Sequence, residues 1–389
     1  MNKTAITGVR IIDGINSSII EKGTILINDG KIEAVSPMEK MPIPETYNII
    51  KMENHTVLPA LIDGHVHVTG EPGRLDHIGH IKANLVAVRK LQNYLAWGVG
   101  TVANAASSAD SIPLRELVKN GTLQGCADIL LSGTVTATGG HVRGRSADGP
   151  WEVRKAVREM VMAGLDHIKT CASGGFQWEH EKLEYEDYTP IELQALVEEA
   201  HARGKRVHVH AHAQPGLRNA VNAGADLILH GAHIDDEALE AIGEKGLWYM
   251  PTLYITSELV WKENKNLPQF MARKMERAWP LHREGVAKAY KMGLKIVAGT
   301  DGFGPDAMMI EMNEMVRCGI SPMDAIMIAT GKTADALGIL HETGTLEAGK
   351  KADILCIKGN PLDDMGILKK FESIAMVMKA GKIIPGSAI

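Results

Sequence analysis

The chain has 389 residues, 45% hydrophobic and 23% charged, with a formal net charge of -5. That length supports one large core or a core with a small added domain, and the mild negative charge with no clustered Lys/Arg face argues against nucleic-acid binding. The start Met1-Asn2-Lys3-Thr4-Ala5-Ile6 lacks the apolar centre of a secretory leader, no apolar run approaches membrane length, and Cys126, Cys171, Cys318 and Cys356 form no C-x-x-C, so a soluble cytoplasmic protein with reduced thiols and no membrane partner is expected.

In chain order, residues 1–58 read as short strands with turns, and Asn28-Asp29-Gly30 carries a hairpin signal. A second β-rich stretch returns at 352–357, 374–378 and 381–384. Neither end has enough strands for its own core, so 1–58 and 347–389 are expected to join in one small β-sandwich domain. Between them, over 59–346, strands alternate with helices. The strands are expected to end near His67, Ala105, Thr138, Cys171, His212, His233, Tyr254 and Asp301. Eight such units predict an α/β chain with a closed (β/α)8 TIM barrel. One helix is fully legible: Thr189 caps it, Pro190 opens it and Glu192 completes a capping box. Leu193, Leu196, Val197 and Ala200 form its inward stripe, and Gly204 ends it. Ser321-Pro322-Met323-Asp324 opens another helix the same way, and Pro280 is expected to kink or divide a helix over 269–291.

Barrel enzymes place their chemistry at the carboxyl ends of the strands, so polar residues there are the candidates. The first strand ends in Asp63-Gly64-His65-Val66-His67. Residues i and i+2 of a strand share a face, so both imidazoles aim at one point, as half a metal site does. An isolated H-x-H is more simply a pair of satisfied surface histidines; the other strand ends are what argue for a ligand set. Lys169 is a lone lysine within the apolar fourth strand. It is either salt-bridged to a buried acid or carbamylated by CO2 into a metal-bridging carboxylate. His208, His210 and His212 on the fifth strand share one parity, and pattern alone does not choose among them. The sixth strand ends in His230, a ligand in this series and otherwise a satisfied core histidine. Asp301, after the eighth, suits either a turn or a carboxylate that touches a metal and takes a proton from water. Around these, His141 in Thr138-Gly139-Gly140-His141 is placed to hydrogen-bond a substrate carbonyl. Arg143 and Arg145 are candidates to hold a substrate carboxylate, although surface arginines on a loop are the commoner case, and Tyr254 is a candidate substrate contact or a core aromatic. No nucleophile elbow, phosphate loop or dinucleotide fingerprint is present.

Assembled, these residues resemble the amidohydrolase superfamily. The H-x-H follows Leu58-Pro59-Ala60-Leu61-Ile62-Asp63-Gly64, with Ala60 where the family usually has glycine. Lys169, His210, His230 and Gly299-Thr300-Asp301 stand at the family's remaining ligand positions, and 344–353 resembles its return from barrel to β-domain. Gly139-Gly140-His141 and Ile168-Lys169 followed by Ala172-Ser173-Gly174-Gly175 resemble the binuclear-metal branch. That branch contains prolidase-type dipeptidases and Xaa-Arg/Lys carboxypeptidases and is related to imidazolonepropionase, whose single-metal site lacks the lysine. The resemblance implies two divalent ions, Zn2+ by expectation. His65 and His67 would hold one with Asp301, His210 and His230 the other, and a CO2-derived carbamate on Lys169 would bridge them. A metal-bridging hydroxide would then attack an amide carbonyl assisted by His141, with Asp301 passing the proton to the leaving amine. The expected substrate is a small molecule, a dipeptide or N-acyl amino acid, cleaved at an Xaa-Pro bond or to release a C-terminal amino acid. The expected assembly is a homo-oligomer. Two alternatives stand: a hydrolase of another amide, carbamate, urea or ester (xenobiotics and cyclic amides included), and a catalytically inactive barrel used for binding. The loop 171–188, with Phe176, Gln177, Trp178 and His180, matches no known specificity pattern.

Overall fold

A computed structural model of the chain describes residues 3–70, 75–302 and 304–385. Its apolar runs form eight parallel strands: β1 (Leu61–Val66), β2 (Val99–Ser107), β3 (Asp128–Thr136), β4 (His167–Cys171), β5 (Val207–Ala211), β6 (Leu227–His230), β7 (Trp248–Met250) and β8 (Lys295–Ile296). They lie in one sheet in chain order, with helices in the connections. Every residue of β4, β5 and β6 is buried, as in a parallel sheet covered on both faces. The first strand also bonds to the segment beyond β8: Gly64 N–H donates to Ala298 O at 3.0 Å and Asp301 N–H to His65 O at 2.8 Å. Those bonds set Asp301 beside His65 and His67.

Strand ends fall earlier than expected where the backbone turns left-handed. His230 (φ 73) and Thr252 (φ 52) stop the ladders of β6 and β7, so those strands end at His230 and Met250 rather than near His233 and Tyr254. The helix Pro190–His201 follows its sequence signals: the Glu192 carboxylate accepts from the Thr189 N–H at 3.0 Å and hydroxyl at 2.6 Å. Leu193, Leu196, Val197 and Ala200 are buried against the sheet, each large apolar side chain contributing about 1.5–3 kcal/mol. Pro280 does not divide its helix, which runs unbroken over Gln269–Lys291. Both Pro280 and Glu276, the residue whose carbonyl loses its donor, are exposed, so water can satisfy that carbonyl. Met275, Ala278, Val286 and Ala289 meanwhile bury the opposite face on both sides of the proline.

Strands from the two ends of the chain share a second, eight-stranded sheet. Its order is Lys382–Ile383, Ile374–Lys379, Ile354–Lys358, His55–Pro59, Lys3–Ile12, Ile19–Asn28 and Lys31–Pro37, with Asn48–Lys51 also pairing the long strand Lys3–Ile12. Asp29 (φ 51) and Gly30 (φ 77) make the tight turn between the paired residues Asn28 and Lys31. Ile6, Ile25, Ile27, Val57, Ile354 and Met376 belong to this sheet's own core. Lys379 Nζ, 2.8 Å from both Asp128 at the start of β3 and Asp353, locks it to the parallel sheet. The four cysteines are free and buried, and no described helix is long and apolar enough to cross a membrane.

Candidate metal centre

At the carboxyl end of the parallel sheet the histidines converge. The ring centroid of His65 is 5.5 Å from that of His67 and 5.2 Å from that of His230, and His210 lies 4.5 Å from His230. One donor atom each from His65, His67 and Asp301 lie within 4.8 Å of one another; Asp301 Oδ1 is 3.5 Å from His65 Nε2 and 3.0 Å from His67 Nε2. Burial pushes His65 down to about 4 and His210 and His230 well below the ordinary imidazole value. These rings are therefore neutral at pH 7, as ligands must be. Burial alone would raise Asp301, but its bonds to His65 and His67 hold it well below the carboxylate range.

Neighbouring groups decide which ring nitrogen each histidine leaves free. Thr252 Oγ1 donates to Pro251 O at 2.6 Å and lies 2.7 Å from His230 Nδ1. The hydroxyl proton is thus committed, Nδ1–H donates to the hydroxyl, and Nε2 keeps its lone pair. His210 Nε2 sits 3.3 Å from Gly174 O, a pure acceptor, which leaves Nδ1 of that ring bare. The left-handed backbone of His230 is held because its carbonyl accepts from Tyr249 Oη and His282 Nε2, both at 2.9 Å. Asp63 braces the far side, accepting from Thr300 N–H at 3.0 Å, Thr300 Oγ1 at 2.7 Å and His65 N–H at 3.2 Å. Burial still pushes its carboxyl up to about 7.

Lys169 is 2% exposed, and its Nζ has no hydrogen-bond partner among the described residues. Burial lowers its pKa. A buried ammonium without a partner is costly, so burial shifts the balance toward the neutral amine, the form that reacts with CO2. No described acid salt-bridges it. His208 turns below this layer, stacked on His167 with centroids 4.2 Å apart and its Nε2 without a partner among the described residues; the parity of His208, His210 and His212 thus serves more than one layer. His212 Nδ1 accepts from Ala232 N–H at 3.4 Å, beside Phe176.

His65, His67, Lys169, His210, His212 and Asp301 line a cavity of about 150 Å³. One wall is polar, with His65, His67, His141, Lys169, His210 and Asp301; the other is Phe176, Ile255, Leu267, Met271 and Met275. His141 stacks on His210 at 4.2 Å. Arg143 lines the cavity, is exposed and makes no ion pair among the described residues. Arg145 does not line it: its guanidinium pairs with Glu159 at 2.8 Å and Glu152 at 3.6 Å on the helix Gly149–Met162. Tyr254 also lies outside the lining, packed beside Gly302 and the Phe176 cluster; Glu311 accepts its backbone N–H at 2.6 Å. The sequence reading did not single out Thr252, Glu181, Asp187 or Glu311, and took Asp63 only as part of a motif. Nothing in their spacing marks them, since each acts through a fold contact far along the chain.

Comparison with known proteins follows the same lines. The model of the Amidohydrolase family matches residues 56–384. An ochratoxinase of Aspergillus niger is 31% identical over 246 residues, 62% of this chain and 51% of that protein; the match spans about half the relative's length. The crystal structure of that ochratoxinase superposes with a TM-score of 0.86 at 25% identity, covering 99% of this chain and 96% of the other. A Xaa-Pro dipeptidase crystallised with methionine bound in its active site gives a TM-score of 0.88 at 29% identity, with 98% and 99% covered.

Proposed function

The chain belongs to the amidohydrolase family, and from that premise we propose that it is a two-metal hydrolase of dipeptides or N-acyl amino acids. The fold reading that goes with it is a closed (β/α)8 barrel over 59–346 and a β-sandwich built from 1–58 and 347–389; the four free, buried cysteines favour a cytoplasmic home. The observation that carries the reading is Lys169: a buried, unpartnered amine in the cavity where His65, His210 and Asp301 meet. A CO2-derived carbamate there would give the carboxylate that completes two ligand sets, His65, His67 and Asp301 on one side and His210 and His230 on the other. When bound, two divalent ions, Zn2+ by preference for imidazole and carboxylate, polarise an amide carbonyl and supply a nucleophilic water at neutral pH.

The chain's own residues do the rest. Asp301, acceptor-only while ionised, takes the proton of the attacking water and returns it to the leaving amine. His141 faces the polar wall, where it bonds the substrate carbonyl oxygen. Arg143, at the cavity and without an ion pair among the described residues, holds the substrate carboxylate by charge-assisted bonds. The wall of Phe176, Leu267, Met271 and Met275 takes an apolar side chain, a reading supported by the methionine held in the dipeptidase relative's active site.

A panel of N-acetyl amino acids and dipeptides, with released amine quantified, tests this directly. The expected result is preference for a large apolar C-terminal residue, and about a tenfold rise in KM for Arg143→Ala, the scale of one charge-assisted hydrogen bond. Release from carbamates, ureas or esters with none from the panel would replace the substrate assignment.

A further inference from the structure

We infer that Glu181, from the unassigned loop after β4, is the positioning residue of His141. The inference rests on the reading of the site as an amide hydrolase. Both side chains are 8% exposed, and His141 Nδ1 lies 2.8 Å from Glu181 Oε1. A carboxylate only accepts, so the proton between them belongs to Nδ1. The ring nitrogen left over, Nε2, has no hydrogen-bond partner among the described residues, and the residue lines the cavity. The pair therefore fixes both the orientation of the ring and which nitrogen meets the substrate. A neutral imidazole so fixed presents a lone pair; it donates to a carbonyl oxygen only as the cation that Glu181 compensates.

The rest of the loop is built to hold this pair. Asp187 accepts from the His141 N–H at 2.8 Å, and Trp178 Nε1 donates to the His141 carbonyl at 3.4 Å. Lys274, on the helix Gln269–Lys291, donates from Nζ to the carbonyls of Trp178 at 2.5 Å and Glu181 at 2.6 Å. Gly175 lets the ring lie against the loop backbone: a methyl there would come 2.3 Å from His141 Cε1. Four contacts from one loop thus converge on a single histidine. Lys274 ties that loop to the helix that carries Met271 and Met275 of the apolar wall.

Glu181→Gln keeps the shape and removes the charge. It is expected to lower kcat about 100-fold, the low end of what a positioned proton-transfer group contributes, with KM within about twofold and metal content and melting temperature unchanged. In a His141→Asn background the same change is expected to alter kcat less than about twofold, because a residue acting through another has nothing further to lose. Equal losses in both backgrounds, or a loss that follows metal content, would overturn the assignment. Histidine-selective 15N spectra, with His141 assigned from the His141→Asn variant, read the pair without turnover. The Nδ1 resonance is expected to be that of a protonated nitrogen and to move in Glu181→Gln; an unmoved resonance contradicts the pairing. Wild-type protein that cleaves no amide would sink the functional reading while the spectrum still judges Glu181.

Discussion

Two lysines, Lys169 fully buried and Lys379 largely so, divide the molecule into a part built for stability and a part built for something else. Lys379 sits between Asp128 and Asp353, 2.8 Å from each. Those carboxylates outweigh its desolvation and raise its pKa. Lys169 lies in the parallel sheet with no hydrogen-bond partner among the described residues, and burial lowers its pKa. The same side chain is thus satisfied where the terminal sheet is locked on, and left unsatisfied where imidazoles converge. A fold tolerates the second arrangement only if other contacts cover its cost. Here they include the donors around Asp63 and the left-handed backbone of His230 pinned through its carbonyl.

The sharpest way to break this contrast is to remove each lysine. Lys169→Met is expected to lower turnover by about three orders of magnitude, as when one member of a cooperating catalytic set is lost, with thermal stability retained or raised. Lys379→Met, which leaves Asp353 buried without its counter-charge, is expected to cost about 3 kcal/mol of stability while the metal site keeps its activity. Urea denaturation and amine-release assays on both variants check the pair. Swapped phenotypes would end the comparison.

Asp301→Asn comes next. It is expected to keep the metals and lose about 100-fold or more in kcat, as a proton carrier should; metal-replete protein with full activity would remove that role. A smaller effect is expected from Thr252→Val, which takes away the hydroxyl that receives His230 Nδ1–H. Metal affinity should fall about 10–100-fold and Thr252→Ser should restore it, both measured by competition with a chelating dye. The mildest test is pH. Burial lowers His65, His167 and His282 to about 4, whereas the unfolded chain takes up those protons near pH 6.5. Between these values the unfolded state binds more protons on these three groups, so their contribution is full above about pH 6.5 and is lost as pH falls toward 4. Asp63 and Glu311, raised by burial to about 7 and about 8, act in the opposite sense but are outnumbered once the depressed His208, His210, His212 and His230 are added. The Lys379 contribution, from a raised lysine, persists throughout that range and fades only at alkaline pH. The urea midpoint of metal-free protein is therefore expected to fall between pH 7 and 5; a flat profile would contradict neutral buried histidines.

How far the sequence can be read divides along the same line. Period-2 and period-3.6 patterns and local caps announced the strands, the helix Pro190–His201 and the Asp29-Gly30 turn, because these depend on neighbours in the chain. His65, His67, His230 and Asp301 could be named as candidates because each stands at the end of an apolar run, and Lys169 because it is a lone cation within one; among His208, His210 and His212 only the family resemblance chose His210. For Arg145 and Tyr254 the sequence left two readings open, since what separates them is contacts elsewhere in the chain: the Glu159 carboxylate for one, the Phe176 cluster for the other. Glu181 escaped notice for the same reason, because its role exists only once residues 141 and 181 meet. That Pro280 does not divide its helix could not be read, because solvent access to the Glu276 carbonyl is a property of the packed helix.

The central claim is that Lys169 is left bare in order to complete a two-metal centre. Metal bound per chain, measured on protein purified without chelator in bicarbonate-containing buffer, tests it most directly. The account predicts close to two divalent ions, falling to one or none in Lys169→Met with the fold intact. One ion in the wild type, unchanged by Lys169→Met, would contradict it.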